Sequence, residues 1–211
     1  MISIIVRNKN EAEFIGFTLQ SCLDFFETPE IIIVDNNSSD DSLDIVQNFN
    51  NRTNIIVKNI NRYKPGESIN KGVKYASHDY VLVLSAHTQI IQLDFESIKK
   101  NLDKHKAVFG QQIPIHRGKK ITPGYIWTNF GDKKEINKFS NIENRLFLHN
   151  AFCFYRRDTL IEFPMPVNYS GKEDRYWAKD IVDKNHSFLY DPIQKCHHFW
   201  TKNGATWKGL I

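Results

Sequence analysis

Along the first half of the chain, short apolar runs alternate with longer stretches of mixed polarity. Ile2 to Val6 reads as a buried strand, Glu30 to Val34 as a second, Asn54 to Lys58 as a third, Val81 to Leu84 as a fourth and Ala107 to Gln111 as a fifth. Between them lie helical patterns. Asn10-Glu11-Ala12-Glu13 has the spacing of a capping box, with Asn10 as N-cap and Glu13 three residues on. Phe14, Phe17, Leu19 and Cys22 carry that helix to about Phe25. Leu43, Val46 and Phe49 mark a second helix, Pro65 suits the first turn of a third that runs to about Ser77, and Asp94 to Lys104 forms a fourth. This alternation predicts an α/β domain with a mainly parallel central sheet covered by helices on both faces. In such sheets ligands bind beyond the carboxyl ends of the strands. The chemistry is therefore expected at Arg7 to Asn10, Asp35 to Asp41, Asn61 to Gly66 and Ser85 to Gln89.

The second half loses the alternation. Gln111 to Gly131, broken by Pro and Gly, reads as loops or edge strands. Asn150 to Tyr155 reads as a strand, Glu173 to Lys184 as a helix and Ser187 to Tyr190 as a last strand, with an irregular tail from Asp191. No repeat or low-complexity linker divides the chain, so residues 1–211 are expected to form a single domain.

Composition narrows the chemistry. Lys plus Arg is 28 against 24 Asp plus Glu, a formal charge of +4, which suits a phosphate-bearing ligand or an anionic membrane surface. No basic run is long enough to indicate nucleic acid. Aromatic residues reach 13%, most of them expected in the core. Three cysteines without close spacing are no disulfide framework, so a reducing, cytoplasmic compartment is expected. The N-terminus has no basic segment and cleavage site of a secretory signal, and no apolar run approaches the roughly 20 residues of a membrane span. The expectation is a soluble or peripherally attached protein.

Four constellations carry candidate chemistry. Asp35, at the end of the second strand and followed by Asn and Ser, can bond the ribose or base of a nucleotide, although the same residues make good turns. No G-x-G-x-x-G and no G-x-x-x-x-G-K-[ST] occurs, which disfavours a dinucleotide dehydrogenase or a P-loop enzyme. His87, in Ser85-Ala86-His87-Thr88, can ligate a divalent metal or simply bond backbone. Glu173-Asp174 places two carboxylates at a helix start, stabilised there by the helix dipole and able to serve as a general base. In Cys196-His197-His198 the adjacent histidines of an extended segment point to opposite sides, so one alone can face a given site. Arg7, Lys9, Lys64, Arg156 and Arg157 are candidate partners of a diphosphate or an ordinary basic surface.

Taken in order, these segments resemble a family-2 glycosyltransferase of the GT-A fold. The matching pieces are Arg7-Asn8, Ile31 to Asp40, Pro65 to Gly72, Val81 to Thr88, Ala151 to Arg157 and Glu173-Asp174-Arg175. The resemblance implies nucleotide binding by Asp35, Asn8, Arg7, Asn37, Asn70, Ser85 and Lys64. It implies a catalytic base at Asp174 with Glu173 beside it. It also implies a divalent metal, Mn²⁺ or Mg²⁺, held by His87 with His198 or His197. The family's D-x-D after the fourth strand is Ser85-Ala86-His87 here, which leaves the third position as a ligand and the first as a ribose contact. Residues 1–110 would bind the nucleotide sugar and 111–211 the acceptor, with Asn203 to Trp207 covering one or the other. The expected activity is inverting transfer from a nucleotide-diphosphate sugar to a glycan or lipid-linked glycan in cell-surface polysaccharide synthesis, at the inner face of the membrane. A nucleotidyltransferase making an activated sugar is the alternative enzyme, opposed by the glycine-free Arg7 to Asn10 loop. A non-catalytic nucleotide- or sugar-binding module is the other alternative, favoured by the missing D-x-D.

Overall fold

The apolar runs become the strands of one sheet, and their alternate side chains feed two cores. A computed structural model describes residues 1–121, 126–169, 171–202 and 204. The first half contains β1 (Ile2–Asn8), α1 (Ile15–Phe25), β2 (Glu30–Asp35), α2 (Ser42–Gln47), β3 (Ile55–Asn59), α3 (Pro65–Tyr75), β4 (Tyr80–Ser85), β5 (Thr88–Gln92), α4 (Phe95–Leu102) and β6 (Ala107–His116). The second half contains β7 (Lys119–Lys120), β8 (Glu135–Ile136), β9 (Phe139–Ser140), β10 (Arg145–Leu146), β11 (Phe152–Arg156), α5 (Arg157–Glu162), α6 (Glu173–Asp183) and β12 (Phe188–Phe199). Among the described residues no helix is long and apolar enough to cross a membrane.

The strand order is β3-β2-β1-β4-β11-β6-β12-β5. β3, β2, β1, β4, β6 and β12 point one way, and β11 and β5 point the other. The second half is not a separate body, because β11 lies between β4 and β6 and β12 lies between β6 and β5. Period-2 alternation sends Ile5, Ile32, Val34, Val81 and Val83 to one face, where Ile69 and Val73 of α3 and Trp177 and Ile181 of α6 cover them. Ile4, Val6, Ile31, Ile33, Leu82 and Leu84 go to the other face, under Ile15 and Leu19 of α1 and Ile98 of α4. A strand buried on both faces must be apolar at every position, which is why these runs are continuous rather than alternating.

Four local expectations are corrected. Asn10 is not an N-cap: its φ is 51°, outside the extended region that a cap needs, and its Oδ1 accepts from the Ser39 N–H at 2.7 Å. α1 starts at Ile15 with no side-chain cap, because the loop after β2 has claimed Asn10. Ser85 to Gln89 is not an open loop but a tight turn over Ala86 and His87 into β5. The segment after Gln111 stays in the sheet, since β6 continues to His116. Most of the tail from Asp191 is also sheet. β12 runs to Phe199 and is polar where it should look apolar, with Asp191, Gln194 and His198 all buried. Gln194 and Asp191 find partners within the fold. Gln194 Oε1 accepts from the Asp94 N–H at 2.8 Å, and Asp191 pairs with Lys134 Nζ at 3.4 Å.

At the amino end of the sheet, Glu30 ties β1, β2 and the end of α3 together. Its carboxylate accepts from Ser3 Oγ at 2.6 Å, the Ser77 N–H at 2.9 Å and Ser77 Oγ at 2.9 Å. Burial alone would raise this carboxyl, but the three donors outweigh it and hold it below the ordinary 4.5. Glu30→Gln turns an N–H toward these donors and should lower the unfolding free energy by about 1–3 kcal/mol at pH 7. Because the folded value is depressed, this contribution is present above the ordinary carboxylate range and is lost as pH falls through the folded value. Urea unfolding of both proteins should show the gap at pH 7 and its narrowing in acid.

Candidate active site

The order β3-β2-β1-β4 reverses direction at β1, so the carboxyl ends of β1 and β4 open a crevice at a topological switch point. A cleft of about 530 Å³ lies there. Of the residues singled out in the sequence, Arg7, Asn8, Lys9, Ser85, His87, Glu173 and Asp174 line it. Sequence reasoning missed Glu11, Tyr63, Arg145, His149, Asn150 and Arg175, which also line it. Glu11 had been read as part of a capping box, Tyr63, Asn150 and Arg175 stood in expected elements or loops without a role of their own, and Arg145 and His149 stand in a segment with no periodic pattern.

Arg7 organises the centre. Its side chain is 9% exposed, and Nη2 donates to the Asn150 carbonyl at 2.9 Å and to Ser85 Oγ at 3.3 Å. Nη1 lies 3.5 Å from Glu173 Oε1. One buried guanidinium thus joins β1, β4, the loop before β11 and the start of α6.

Asp35 sits beneath the floor. It is fully buried, and its oxygens accept from Asn8 Nδ2 at 2.8 Å, Ser38 Oγ at 2.6 Å and the Ser38 N–H at 2.8 Å. Asn37 is exposed on that loop with φ 52°, and its carbonyl accepts from Lys9 Nζ at 2.6 Å. Two other nucleotide candidates are not brought into the cleft. Lys64 is the residue before α3, and its carbonyl accepts from Ser68 Oγ at 2.9 Å. Asn70 pairs with the backbone of Met165, donating from Nδ2 to the carbonyl at 2.8 Å and accepting at Oδ1 from the N–H at 2.8 Å. Gly66 acts on the same segment. A Cβ there would collide with the Pro166 carbonyl and sit 3.4 Å from Glu173 Cβ. Gly66 and Asn70 therefore set the approach of the α5–α6 loop, and with it the two carboxylates.

Glu173 is buried and Asp174 half-buried at the start of α6. Asp174 Oδ1 accepts from the Arg175 N–H at 2.8 Å. Burial and then the neighbouring Glu173 charge push the Asp174 carboxyl up to about 7, against the opposing pull of Arg145 and Arg175. Those two guanidiniums are held side by side by Glu143, at 2.6 Å to Arg145 Nη2 and 3.0 Å to Arg175 Nη2. The cleft thus presents three arginines beside a carboxyl poised near neutral pH, a combination suited to an anionic ligand and a proton transfer.

His87 faces His198 with ring centroids 4.9 Å apart, and its Nδ1 lies 3.2 Å from Glu11 Oε1, which also accepts from Thr201 Oγ1 at 3.0 Å. His197 leaves β12 on the opposite face, its ring 6.1 Å from Phe199, and is not brought to the site. Among the described residues no three His, Cys, Asp or Glu side chains form a self-contained metal site. An imidazole bound through one nitrogen holds its centroid roughly 3 Å from a metal. The spacing of His87 and His198 therefore fits two ligands of one cation whose remaining ligands come from elsewhere. Of the segment Asn203 to Trp207 only Gly204 lies among the described residues, and it lines the cleft.

Residues 3–163 match the family model described as Glycosyl transferase family 2. A poly-beta-1,6-N-acetyl-D-glucosamine synthase of Staphylococcus epidermidis is 36% identical over 235 aligned positions, covering 100% of this chain and 53% of the relative. The chain thus spans about half the length of the curated relatives it matches. Among solved structures, S. aureus TarS 1–349 in complex with UDP-GlcNAc superposes with a TM-score of 0.72 at 18% identity, over 100% of this chain and 61% of that one. GalNAc-T7 with UDP, GalNAc and Mn²⁺ superposes with a TM-score of 0.74 at 13% identity, over 97% of this chain and 44% of that one. At these identities the structural likenesses show the fold, a mixed α/β domain of GT-A type.

Asn70→Ala removes both bonds to Met165. It should lower the unfolding free energy by about 1–3 kcal/mol and speed proteolytic cleavage between residues 163 and 172, read by mass spectrometry of the first fragments. Cleavage at the wild-type rate would separate Asn70 from the placement of this loop.

Proposed function

The chain belongs to glycosyltransferase family 2, and from that membership we propose that its cleft transfers a sugar, with inversion, from a nucleotide-diphosphate sugar to a hydroxyl of a glycan in cell-surface polysaccharide synthesis. The observation that carries this reading is Asp174, a carboxyl raised to about 7 in a cleft lined by Arg7, Arg145 and Arg175.

Asp174 takes the proton of the acceptor hydroxyl as that oxygen attacks the anomeric carbon. The bond from this carbon to the donor's diphosphate oxygen breaks, and its electron pair leaves on the diphosphate. Arg145 and Arg175 offset the charge that develops there. A single carboxylate suffices because no covalent intermediate is formed. The paired carboxylates of a retaining mechanism would have to flank the bond roughly 5 Å apart, which adjacent residues on one helix turn are poorly placed to do. Asn8 and the Asp35 loop form the nucleotide end, with Ser85 toward the ribose. A divalent cation, when bound, supplies further positive charge to the diphosphate. His87 and His198 would hold it, and an imidazole pair favours a transition metal such as Mn²⁺ over Mg²⁺. The acceptor, glycan or lipid-linked glycan, approaches from the side of Gly171 and Asp174, with peripheral contact to the membrane. The three buried, unpaired cysteines support a reducing, cytoplasmic setting.

The first test is the midpoint of thermal unfolding with UDP, GDP, CDP, dTDP or CMP, each with EDTA, Mg²⁺ or Mn²⁺. One nucleoside diphosphate at about 100 times its dissociation constant should add roughly 2.7 kcal/mol of stability, most strongly with Mn²⁺. Silence across the panel would count against the donor site. Turnover of UDP-GlcNAc, the sugar nucleotide bound by TarS, gives the second. Asp174→Asn should retain nucleotide binding and lose about 10²–10⁴-fold in rate. The base works ionised, so the wild-type rate should rise with pH through about 7 and flatten above it. A near wild-type rate in Asp174→Asn sinks the base assignment. Nucleotide binding without turnover across a broad acceptor panel would favour the binding module that the absent D-x-D suggests.

A further inference from the structure

A second depression, of about 260 Å³, shares α6 with the cleft. Asp174 lines the cleft, whereas Tyr176, Asp180 and Asp183 line the depression. These three stand at i, i+4 and i+7, so they form one face of the helix, about 10 Å long. The chain before α6 divides in the same way, with Gly171 in the cleft and Tyr169 in the depression. Tyr169 and Tyr176 stack with centroids 3.6 Å apart and planes within 15°, yet they stay 42% and 39% exposed. Pro164 and Pro166 continue this apolar wall. Two tyrosines held together at the surface offer a rigid, amphipathic platform at little entropic cost. The floor beneath them is fixed. Trp177 is buried there, its Nε1 donates to the Phe163 carbonyl at 2.8 Å, and its ring meets Tyr155 edge-on at 5.3 Å. The polar groups at the edge bring no net charge, since Asp183 pairs with Lys179 and Asp180 with Lys184 at 2.7 Å. Among the described residues no arginine lines the depression, whereas Arg7, Arg145 and Arg175 line the cleft. A neutral, amphipathic ligand therefore suits the depression, and an anion suits the cleft.

We propose that this depression is a separate sugar-binding site, which holds the already assembled part of a neutral acceptor glycan while its terminal hydroxyl reaches Asp174. A pyranose has one face of C–H groups and a rim of hydroxyls. The C–H face, slightly positive, lies on the electron-rich face of a tyrosine ring. The hydroxyls donate to Asp180 and Asp183, whose pairing with lysine leaves lone pairs to spare, and accept from Lys179. A long acceptor is then held in two places and a short one in the cleft alone, so that length is converted into affinity. That the glycan is the acceptor rests on the transferase reading, whereas the choice of a neutral glycan rests on the residues of the depression.

The first arm is NMR of the tyrosine ring protons in the wild-type protein, titrated with the monomer and the hexamer of β-1,6-linked N-acetylglucosamine. The chain has 8 tyrosines, so Tyr169→Phe and Tyr176→Phe assign the two signals. The hexamer should shift both signals and the monomer neither. No shift at either tyrosine with this hexamer, with its β-1,4-linked counterpart or with a neutral galactan overturns the proposal. Tighter binding of polygalacturonate, an anionic chain, overturns it too. Tyr176→Ala should weaken the hexamer about 3–10-fold, while Tyr176→Phe, which keeps the ring, should bind it as the wild type does. The second arm is transfer from UDP-GlcNAc. Tyr176→Ala should raise KM for the hexamer by the same factor and leave kcat, and turnover of a single-sugar acceptor, unchanged. An equal loss with both acceptors would reduce the tyrosine pair to a support of the loop and overturn the site. Hexamer binding at the tyrosines without any turnover would uphold the site and count against the transferase reading instead.

Discussion

A sheet covered by helices on both faces leaves no room for unpartnered polar side chains along the middle of its strands. In β1, β2 and β4 every central position is apolar and buried, in one core or the other. Polar groups are admitted where the strands end, and all the parallel strands end on one side. This constraint gathers Asn8, Asp35 and Ser85 at one edge before any question of ligand arises. Arg7 follows from the same constraint. A guanidinium buried at the strand ends is tolerable only with partners, and it finds the Asn150 carbonyl, Ser85 and Glu173. The charge that a nucleotide diphosphate would meet is also the joint between the two halves of the domain.

The two carboxylates of the cleft depend on that joint and on a second one. α6 carries Glu173 and Asp174, but the loop before it is fixed by α3. Asn70 bonds both polar groups of the Met165 backbone, and Gly66 lets the Pro166 carbonyl come close. The Pro65 to Gly72 segment resembles its family counterpart; Pro65 lines the cleft, while Gly66 and Asn70 fix the loop that leads to Glu173 and Asp174. Once placed, Asp174 is raised by burial and then by the adjacent Glu173 charge, while the Glu143-anchored arginines limit the rise. The result is a carboxyl poised near neutral pH.

The other end of the cleft shows how a departure from the family pattern is absorbed. With Ser85 in place of the first carboxylate of D-x-D, the polar donors are His87, His198 and Glu11, drawn from three separate strand ends. The buried His198 of β12 is matched by Gln112 on the adjacent strand β6, two positions from its direct partner Pro114.

How much of this was legible in the chain depended on whether the signal was local. Periodicity and apolar runs determined the strands β1 to β4 and β6, the helices between them and the edge on which the ligand would sit, because solvent exclusion acts residue by residue and leaves a repeating trace. The ordered motifs also singled out Arg7, Ser85, His87, Glu173 and Asp174, since each stands directly after or before a predicted element. Asn10 misled for the same reason: a local capping pattern was overruled by a hydrogen bond to Ser39, 29 residues away. β12 beyond Tyr190 had no local trace, because its buried Asp191, Gln194 and His198 are polar residues made tolerable by distant partners. Only the tertiary structure chose His198 over His197, committed Asn70 to Met165, and brought Glu11, Arg145, His149 and Arg175 into the cleft. Those choices rest on hydrogen bonds and charges between residues far apart in sequence, and a pairing between two polar side chains leaves no pattern along the chain until folding has set the distance between them.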